Sequence, residues 1–332
     1  MTEIVLVGEA WGKDEEEAQA PFVGPTGYFL NSVLRSVGID REKCFVTNVF
    51  NLRPKPSNDI SNLCGLKAEA IPNMPRLANG KYISNQYANE LVRLYREIDI
   101  VSPTIIIALG ATASWALLKT SGIKRIRGSA YIGYNGYKIF PTYHPTAIMR
   151  EFSLRPIFYS DLEKAKVEST FKEVRRPPRE FWLEPSLDDL HEFDKQITAT
   201  TALSIDIETA GRQITCIGFA PSERLALVVP FVSSKGSYWP SHADELVAWS
   251  YIRRWCALPN ARVVGQNFLY DIKYLWNFYG IPVPSAADDT MLMHHAMQPE
   301  MEKGLGFLAS LYTTEPAWKF MRDKHQTIKT EE

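Results

Sequence analysis

Along the first 150 residues, short unbroken apolar runs alternate with longer stretches of helical spacing. Ile4-Val5-Leu6-Val7-Gly8, Cys44 to Phe50 and Thr104 to Gly110 read as strands, the last apolar throughout as a strand buried on both faces must be. Tyr28 to Val37 carries apolar residues at helical spacing and stops at Gly38; Tyr87 to Asp99 and Ala111 to Leu118 also read as helices. A last short strand, Tyr137 to Phe140, runs into Pro141-Thr142-Tyr143-His144-Pro145. This alternation predicts an α/β domain on a parallel sheet, with functional loops at the C-terminal ends of its strands.

The stretch from Phe171 to Glu180 is charged and proline-rich, without periodicity, and predicts a linker over 171–185. Beyond it the pattern changes. Ser186 caps a helix to Ile197 with acidic residues in its first turn. Leu203 to Ile207 and Gln213 to Ala220 read as a hairpin, Arg224 to Val229 as a third strand. Helices over Ala243 to Cys256 and Asp271 to Tyr279 flank a strand at Ala261 to Gly265. The expected domains are therefore 1–170 and 186–332, joined by 171–185.

Composition narrows the reading only a little. The 332 residues suffice for two domains, and the net charge of −1 supplies no overall basic field. Contact with nucleic acid then needs local basic patches. Cys44, Cys64, Cys216 and Cys256 are scattered without a Cys-x-x-Cys pair, which argues against a zinc ribbon or a disulfide framework. The chain enters a strand at once, and no apolar run reaches spanning length. The expectation is a cytoplasmic protein with no membrane partner.

Candidate chemistry is densest in the second half. In Ser204-Ile205-Asp206-Ile207-Glu208-Thr209 two carboxylates two residues apart on a strand share a face. Gly265-Gln266-Asn267-Phe268-Leu269-Tyr270-Asp271 brings a third at a strand-to-helix junction, and Asp289-Thr290-Met291-Leu292-Met293 follows. Such a cluster suits hard divalent cations and phosphodiester hydrolysis. In this order the blocks resemble the proofreading 3′–5′ exonuclease domain of family A DNA polymerases, of the DnaQ-type, ribonuclease-H-like fold. Gly304 to Ala309 and Glu315-Pro316-Ala317-Trp318-Lys319 extend the likeness, especially to phage members. The resemblance implies Mg²⁺ or Mn²⁺ held by Asp206, Glu208 and Asp271, with Asn267 at the substrate. It also asks for a later Tyr-x-x-x-Asp, which this chain lacks: Tyr312 is followed four places on by Pro316, and no tyrosine precedes Asp323 at that spacing. The expectation is an incomplete exonuclease site, weak or inactive, in a chain that is the N-terminal piece of a longer polymerase or a split product. His294 and His295 fall in a helical stretch, where a surface or core role outweighs metal ligation.

In the first half, Gly8-Glu9-Ala10-Trp11-Gly12, Pro21 to Gly27, Thr47-Asn48-Val49, Ala108 to Ala113 and His144 to Arg150 all sit at strand ends where they can converge. The set, with Tyr159-Ser160-Asp161-Leu162, resembles the uracil-DNA glycosylase superfamily near its family 4 and 5 branches, a parallel-sheet α/β/α sandwich. The resemblance implies that Phe22 stacks on a flipped uracil, Asn48 reads its edge, His144 steadies charge on O2, and Glu9 positions water. Ala10, Pro145 and Thr146 would lie against substrate, and Lys124, Arg125 and Arg127 against the DNA backbone. Family 4 enzymes carry an iron–sulfur cluster with one cysteine just before Arg-Pro; Leu52 stands there, and no cluster is expected. Trp11 replaces the usual proline of the first motif. The joint expectation is a DNA replication or repair enzyme of phage type, in the host cytoplasm if viral, acting on uracil-containing DNA and 3′ ends with a polymerase domain or subunit as partner. The alternative is a catalytically inactive first domain that holds DNA.

Overall fold

A computed structural model describes residues 4–315, which divide into two compact units: 4–175 together with 306–315, and 176–305. In the first unit a five-stranded sheet runs in the order Cys44–Phe50, Ile4–Ala10, Ile105–Leu109, Lys138–Thr142, Tyr131–Ile132. Its first four strands are parallel and only the short Tyr131–Ile132 edge is antiparallel. Val5, Leu6 and Val7 are all 0% exposed, which is why the sequence shows an unbroken apolar run there.

One sheet face, with Val5, Val7, Ile106, Ala108 and Ile139, shares a core with Leu91, Leu94 and Ile98 of helix Ala88–Val101 and with Trp115 of helix Ala111–Leu118. Helix Arg155–Glu168 packs on Ile105–Leu109 and Lys138–Thr142. Burying each large aliphatic side chain contributes about 1.5–3 kcal/mol, so these layers hold the strand ends, and the loops on them, in fixed register. The same core takes in Leu63, Ile71, Leu77 and Ile83, and Leu52 packs against it partly buried.

The second unit carries a six-stranded sheet in the order Ala286–Asp289, Arg262–Gly265, Ala202–Ala210, Gln213–Ser222, Leu225–Pro230, Glu180–Trp182. The hairpin and third strand are antiparallel; the flanking strands are parallel to their neighbours. Helix Leu187–Ile197 starts at Ser186, whose Oγ accepts from Asp189 N–H at 3.2 Å while Asp189 accepts from Ser186 N–H at 2.8 Å. Trp255 anchors the core, edge-on to Phe193 and Phe219 with centroids 5.2 and 5.1 Å away.

Two stretches differ from the sequence expectation. Within 171–185, Glu180–Trp182 pairs with Leu225–Leu227 as an edge strand. Three residues carry no readable alternation, so sequence shows only the flanking prolines. Residues 306–315 belong with the first unit: Lys164 Nζ donates to the carbonyls of Ser310 at 2.7 Å and Thr313 at 2.8 Å. Asp323 and most of Glu315-Pro316-Ala317-Trp318-Lys319 lie outside the described residues. No helix among those residues is long and apolar enough to cross a membrane.

Candidate functional site

In the first unit a cavity of about 770 Å³ opens at the C-terminal strand ends. Glu9, Ala10, Phe22, Asn48, His144 and Thr146 all line it, so residues up to 137 positions apart in the chain converge as the motifs implied. Pro145 is buried at the start of helix Pro145–Arg150 and does not line the cavity. Gly8 lies opposite Asn48 in the parallel pairing of the first two strands. A Cβ on Gly8 would collide with Asn48 Oδ1 and sit 2.6 Å from the Phe22 ring, so the missing side chain makes room for both. Phe22 holds φ at +56°, a left-handed conformation that bulky residues rarely adopt. Its ring stands 6.0 Å from the His144 ring, tilted by 31°. Asn48 is 2% exposed, and its side-chain amide forms no hydrogen bond among the described residues.

His144 Nδ1 accepts the Thr146 N–H at 3.2 Å. That fixes the tautomer: in the neutral ring the proton lies on Nε2. Burial, with Arg150 adding to it, pushes the imidazole down to about 4, so the ring stays neutral at physiological pH. Gly110, at φ +96°, lets the His144 loop approach; a Cβ there would lie 2.9 Å from His144 Cβ.

Glu9 accepts a short hydrogen bond from Thr112 Oγ1 at the start of helix Ala111–Leu118. Burial raises its carboxyl above the ordinary range, partly offset by that bond. Glu15 ties two loops together, accepting Gly12 N–H at 3.1 Å and Gly24 N–H at 2.9 Å. Neither Thr112 nor Glu15 stood out in the sequence; Thr112 sits inside the Ala108–Ala113 motif, and Glu15 is one acid among Asp14-Glu15-Glu16-Glu17.

Of the basic cluster, Lys124 and Arg125 are exposed, but Arg127 is corrected. It is 2% exposed and its guanidinium grips Asp161, with Nε donating at 2.8 Å, while Nη1 donates to Ser310 Oγ at 2.8 Å. A buried arginine spent on a buried carboxylate cannot reach a phosphate.

In the second unit Asp206 and Glu208 alternate with the buried Ile205 and Ile207 and so share the other face. Asp271, 4% exposed, accepts the Ile207 N–H through Oδ1 at 2.9 Å, which seats its carboxyl against the backbone between them. Burial first, then Asp206 and Asp289, push Asp271 up to about 6. Asp289 accepts from Asn267 N–H at 3.0 Å, Phe268 N–H at 2.8 Å and Met291 N–H at 2.9 Å, pinning the Gln266-Asn267 turn to the next helix. Asn267 itself is exposed at φ +55°. His294 is buried and His295 exposed on helix Thr290–Met297. Among the described residues no three His, Cys, Asp or Glu side chains stand close enough to cage an ion. The donors nevertheless suit a hard divalent ion: Asp206 and Glu208 flank Ile207, whose N–H Asp271 accepts, and all three offer carboxylate oxygens. An iron–sulfur cluster does not fit, since Cys44 and Cys64 are the only cysteines in the first 175 residues and a cluster takes four thiolates.

Residues 1–168 match the family model of the uracil DNA glycosylase superfamily, and residues 185–331 that of a 3′-5′ exonuclease. The chain belongs to the uracil DNA glycosylase superfamily, here joined to a 3′–5′ exonuclease domain. A type-4 uracil-DNA glycosylase of Thermotoga maritima is 36% identical over 169 residues, covering 50% of this chain and 77% of that protein. Another, of Sulfurisphaera tokodaii, is 30% identical and covers 49% and 69%. A DNA polymerase of Bacillus phage SP01 is 22% identical over 322 residues; they cover 88% of this chain but 32% of the polymerase. The protein is thus a nucleic-acid-binding hydrolase, and its exonuclease family implies use of a divalent ion.

Proposed function

We propose that the first unit hydrolyses the N-glycosidic bond of deoxyuridine flipped out of DNA. The observation that carries this is the Asn48 amide: on a residue 2% exposed, without a hydrogen bond among the described residues, and open to a cavity shared with Phe22 and a neutral His144. An amide left free at a cavity wall keeps its donor and its acceptor available for a ligand that supplies the matching pair, and a ligand that mismatches them leaves polar groups unpaired at about 1–3 kcal/mol. Uracil offers an acceptor at O4 and a donor at N3; cytosine reverses both.

With the base against Phe22, the His144 Nε2–H donates to O2, where negative charge gathers as the glycosidic bond breaks. A neutral donor stabilises that anion without handing over its proton. Glu9, held by Thr112, orients water toward the cationic sugar. Ala10, Pro145 and Thr146 shape the wall or back of the site, and Lys124 and Arg125 supply backbone contacts.

For the second unit we propose 3′–5′ removal of nucleotides, with Asp206, Glu208 and Asp271 holding Mg²⁺ or Mn²⁺ and Asn267 at the substrate. When bound, such ions supply Lewis acidity to the attacking and leaving oxygens. A polymerase domain or subunit is the proposed partner, supported by the likeness to the phage polymerase across both units.

A second reading, in which the first unit only holds DNA, draws on Trp11, which lines the cavity and whose indole N–H has no partner among the described residues. One assay separates the two. A 5′-labelled oligonucleotide with one internal uracil is incubated with the protein in excess EDTA, then treated with alkali. A single break at the uracil supports excision; intact DNA that is still bound supports the holding module and overturns the glycosylase reading.

A further inference from the structure

We infer that Arg93 is a positioning residue for base recognition: it locks the strand end that carries Asn48 and so sets the angle at which the amide meets uracil. The inference rests on the glycosylase reading of the cavity. Arg93 lies on helix Ala88–Val101, outside every loop that lines the cavity, and touches no substrate position itself. Its Nη2 donates to the Asn48 carbonyl at 2.8 Å and to the Val49 carbonyl at 3.1 Å. Its Nη1 donates to Thr47 Oγ1 at 3.1 Å and to Glu97 Oε2 at 2.8 Å. Thr47 closes the ring by donating to the same Glu97 oxygen at 2.8 Å. On the other side, Nε donates to Glu90 Oε2 at 3.1 Å, and that oxygen accepts the Asn51 N–H at 2.8 Å.

Glu90, Arg93 and Glu97 sit three and four residues apart, so they form one stripe on the helix. The stripe meets residues 47, 48 and 49 of a strand that has one sheet neighbour among the described residues, and residue 51 just beyond its end. An edge strand leaves carbonyls without ladder partners. Here one guanidinium reaches two successive carbonyls through Nη2, Thr47 and Glu97 through Nη1 and Glu90 through Nε, a spread of donors a lysine cannot copy. Thr47 and Asn48 are both 2% exposed, whereas the Arg93, Glu90 and Glu97 side chains keep 24%, 22% and 27% of their surface, so the grip is half-buried, with its strand side inside the protein and its helix side partly screened by solvent. Asn48 has no side-chain hydrogen bond to hold it among the described residues; its orientation follows from its backbone and from the close approach over Gly8. Loosening the backbone turns the amide away from the plane in which it reads the base.

The test uses the full chain in EDTA with single-stranded uracil DNA, comparing the unmodified protein with Arg93→Gln, Arg93→Lys and Glu97→Gln. Arg93→Gln is expected to lower kcat about 10- to 100-fold, the worth of one or two hydrogen bonds to a charged group. Inhibition by free uracil weakens by a similar factor, whereas the KM and the affinity for abasic-site DNA, which leaves the base pocket empty, stay within about twofold of the parent value. Arg93→Lys and Glu97→Gln move the same quantities in the same direction by less, and Glu97→Gln carries the test if Arg93→Gln does not fold. Parental kcat and uracil inhibition in these variants overturn the proposal. So does an equal loss of abasic-site affinity and kcat, which marks a general weakening of the fold. An unmodified protein that excises no uracil sinks the glycosylase reading and this inference with it, an outcome visible before any variant is compared.

Discussion

The two candidate sites are built to different degrees of completion. In the glycosylase unit the groups of the proposed chemistry are already placed: an amide free at the cavity wall, a ring of fixed tautomer, a carboxylate held by a hydroxyl. In the exonuclease unit Asp206 is exposed, Asp271 is buried against the same strand, and no three ligands among the described residues converge. A site that works through side chains alone must be finished by folding. One whose chemistry comes from bound ions needs only to hold carboxylates in reach, at a cost that shows in Asp271, raised by burial first and by the charge of Asp206 and Asp289 second.

The hardest blow to this contrast falls on the frame behind the glycosylase pocket. Asp161 accepts from Thr142 Oγ1 at 2.7 Å as well as from Arg127, and Thr142 ends the strand that delivers His144. Arg127→Leu leaves a fully buried carboxylate without its cation, which costs about 3–5 kcal/mol. Denaturant titration should show the transition of the first unit shifted by that amount, with the second unit unmoved. Equal midpoints for variant and parent would mean that the pocket does not depend on this frame.

Arg127 also shows where sequence stops being legible. Ile123-Lys124-Arg125-Ile126-Arg127 reads as a basic loop because the residues that claim Arg127 lie 34 and 183 positions away. The same holds for Glu90, Arg93 and Glu97, three ordinary surface-type residues until the strand beside them is known. What could be read was whatever local chemistry enforces: apolar runs of a two-sided sheet, the Ser186 cap, Asp-x-Glu on one strand face. The motif loops were legible as a set because a parallel sheet gathers its C-terminal ends. The Glu180–Trp182 edge and the seating of residues 306–315 were not, since each is decided by a partner distant in sequence.

Exchanging the sites' weak points gives a double dissociation. His144→Ala should cut uracil excision about 10²- to 10³-fold, as removing an oxyanion donor does, and leave any exonuclease rate intact. Asp206→Asn should do the reverse, lowering 3′-nucleotide release at least about 100-fold with excision in EDTA unchanged. Either substitution that lowers both activities alike would dissolve the contrast between the sites.

A finer probe is Thr112→Val, which keeps shape and removes the hydrogen bond to Glu9. Excision is expected to fall about 10-fold, with Thr112→Ser restoring most of it. The sign of the pH effect follows from the shifts. Glu9 must be ionised to orient water, and burial raises its pKa, so activity is full at higher pH and lost as pH falls through that raised value. The Thr112 bond opposes the rise; without it the acid limb moves to still higher pH. His144, pushed down to about 4, adds no limb in that window. An acid limb that stays put in Thr112→Val would remove Glu9 from the rate-limiting protonation.

The smallest effect belongs to Lys124 and Arg125, exposed on helix Ile123–Ile126 and outside the cavity wall. Their proposed contact is with phosphate charge, which adds affinity without altering which base is read. Lys124→Ala with Arg125→Ala should weaken DNA binding a few-fold at low salt and flatten the slope of log affinity against log salt by about 1–2, one for each phosphate left without its cation. Single-turnover excision at saturating protein should not change, because the amide, the imidazole and the carboxylate stay where folding put them. A fall in the single-turnover rate, with the salt slope unmoved, would place these residues in the pocket's own support and make the finished site larger than its cavity.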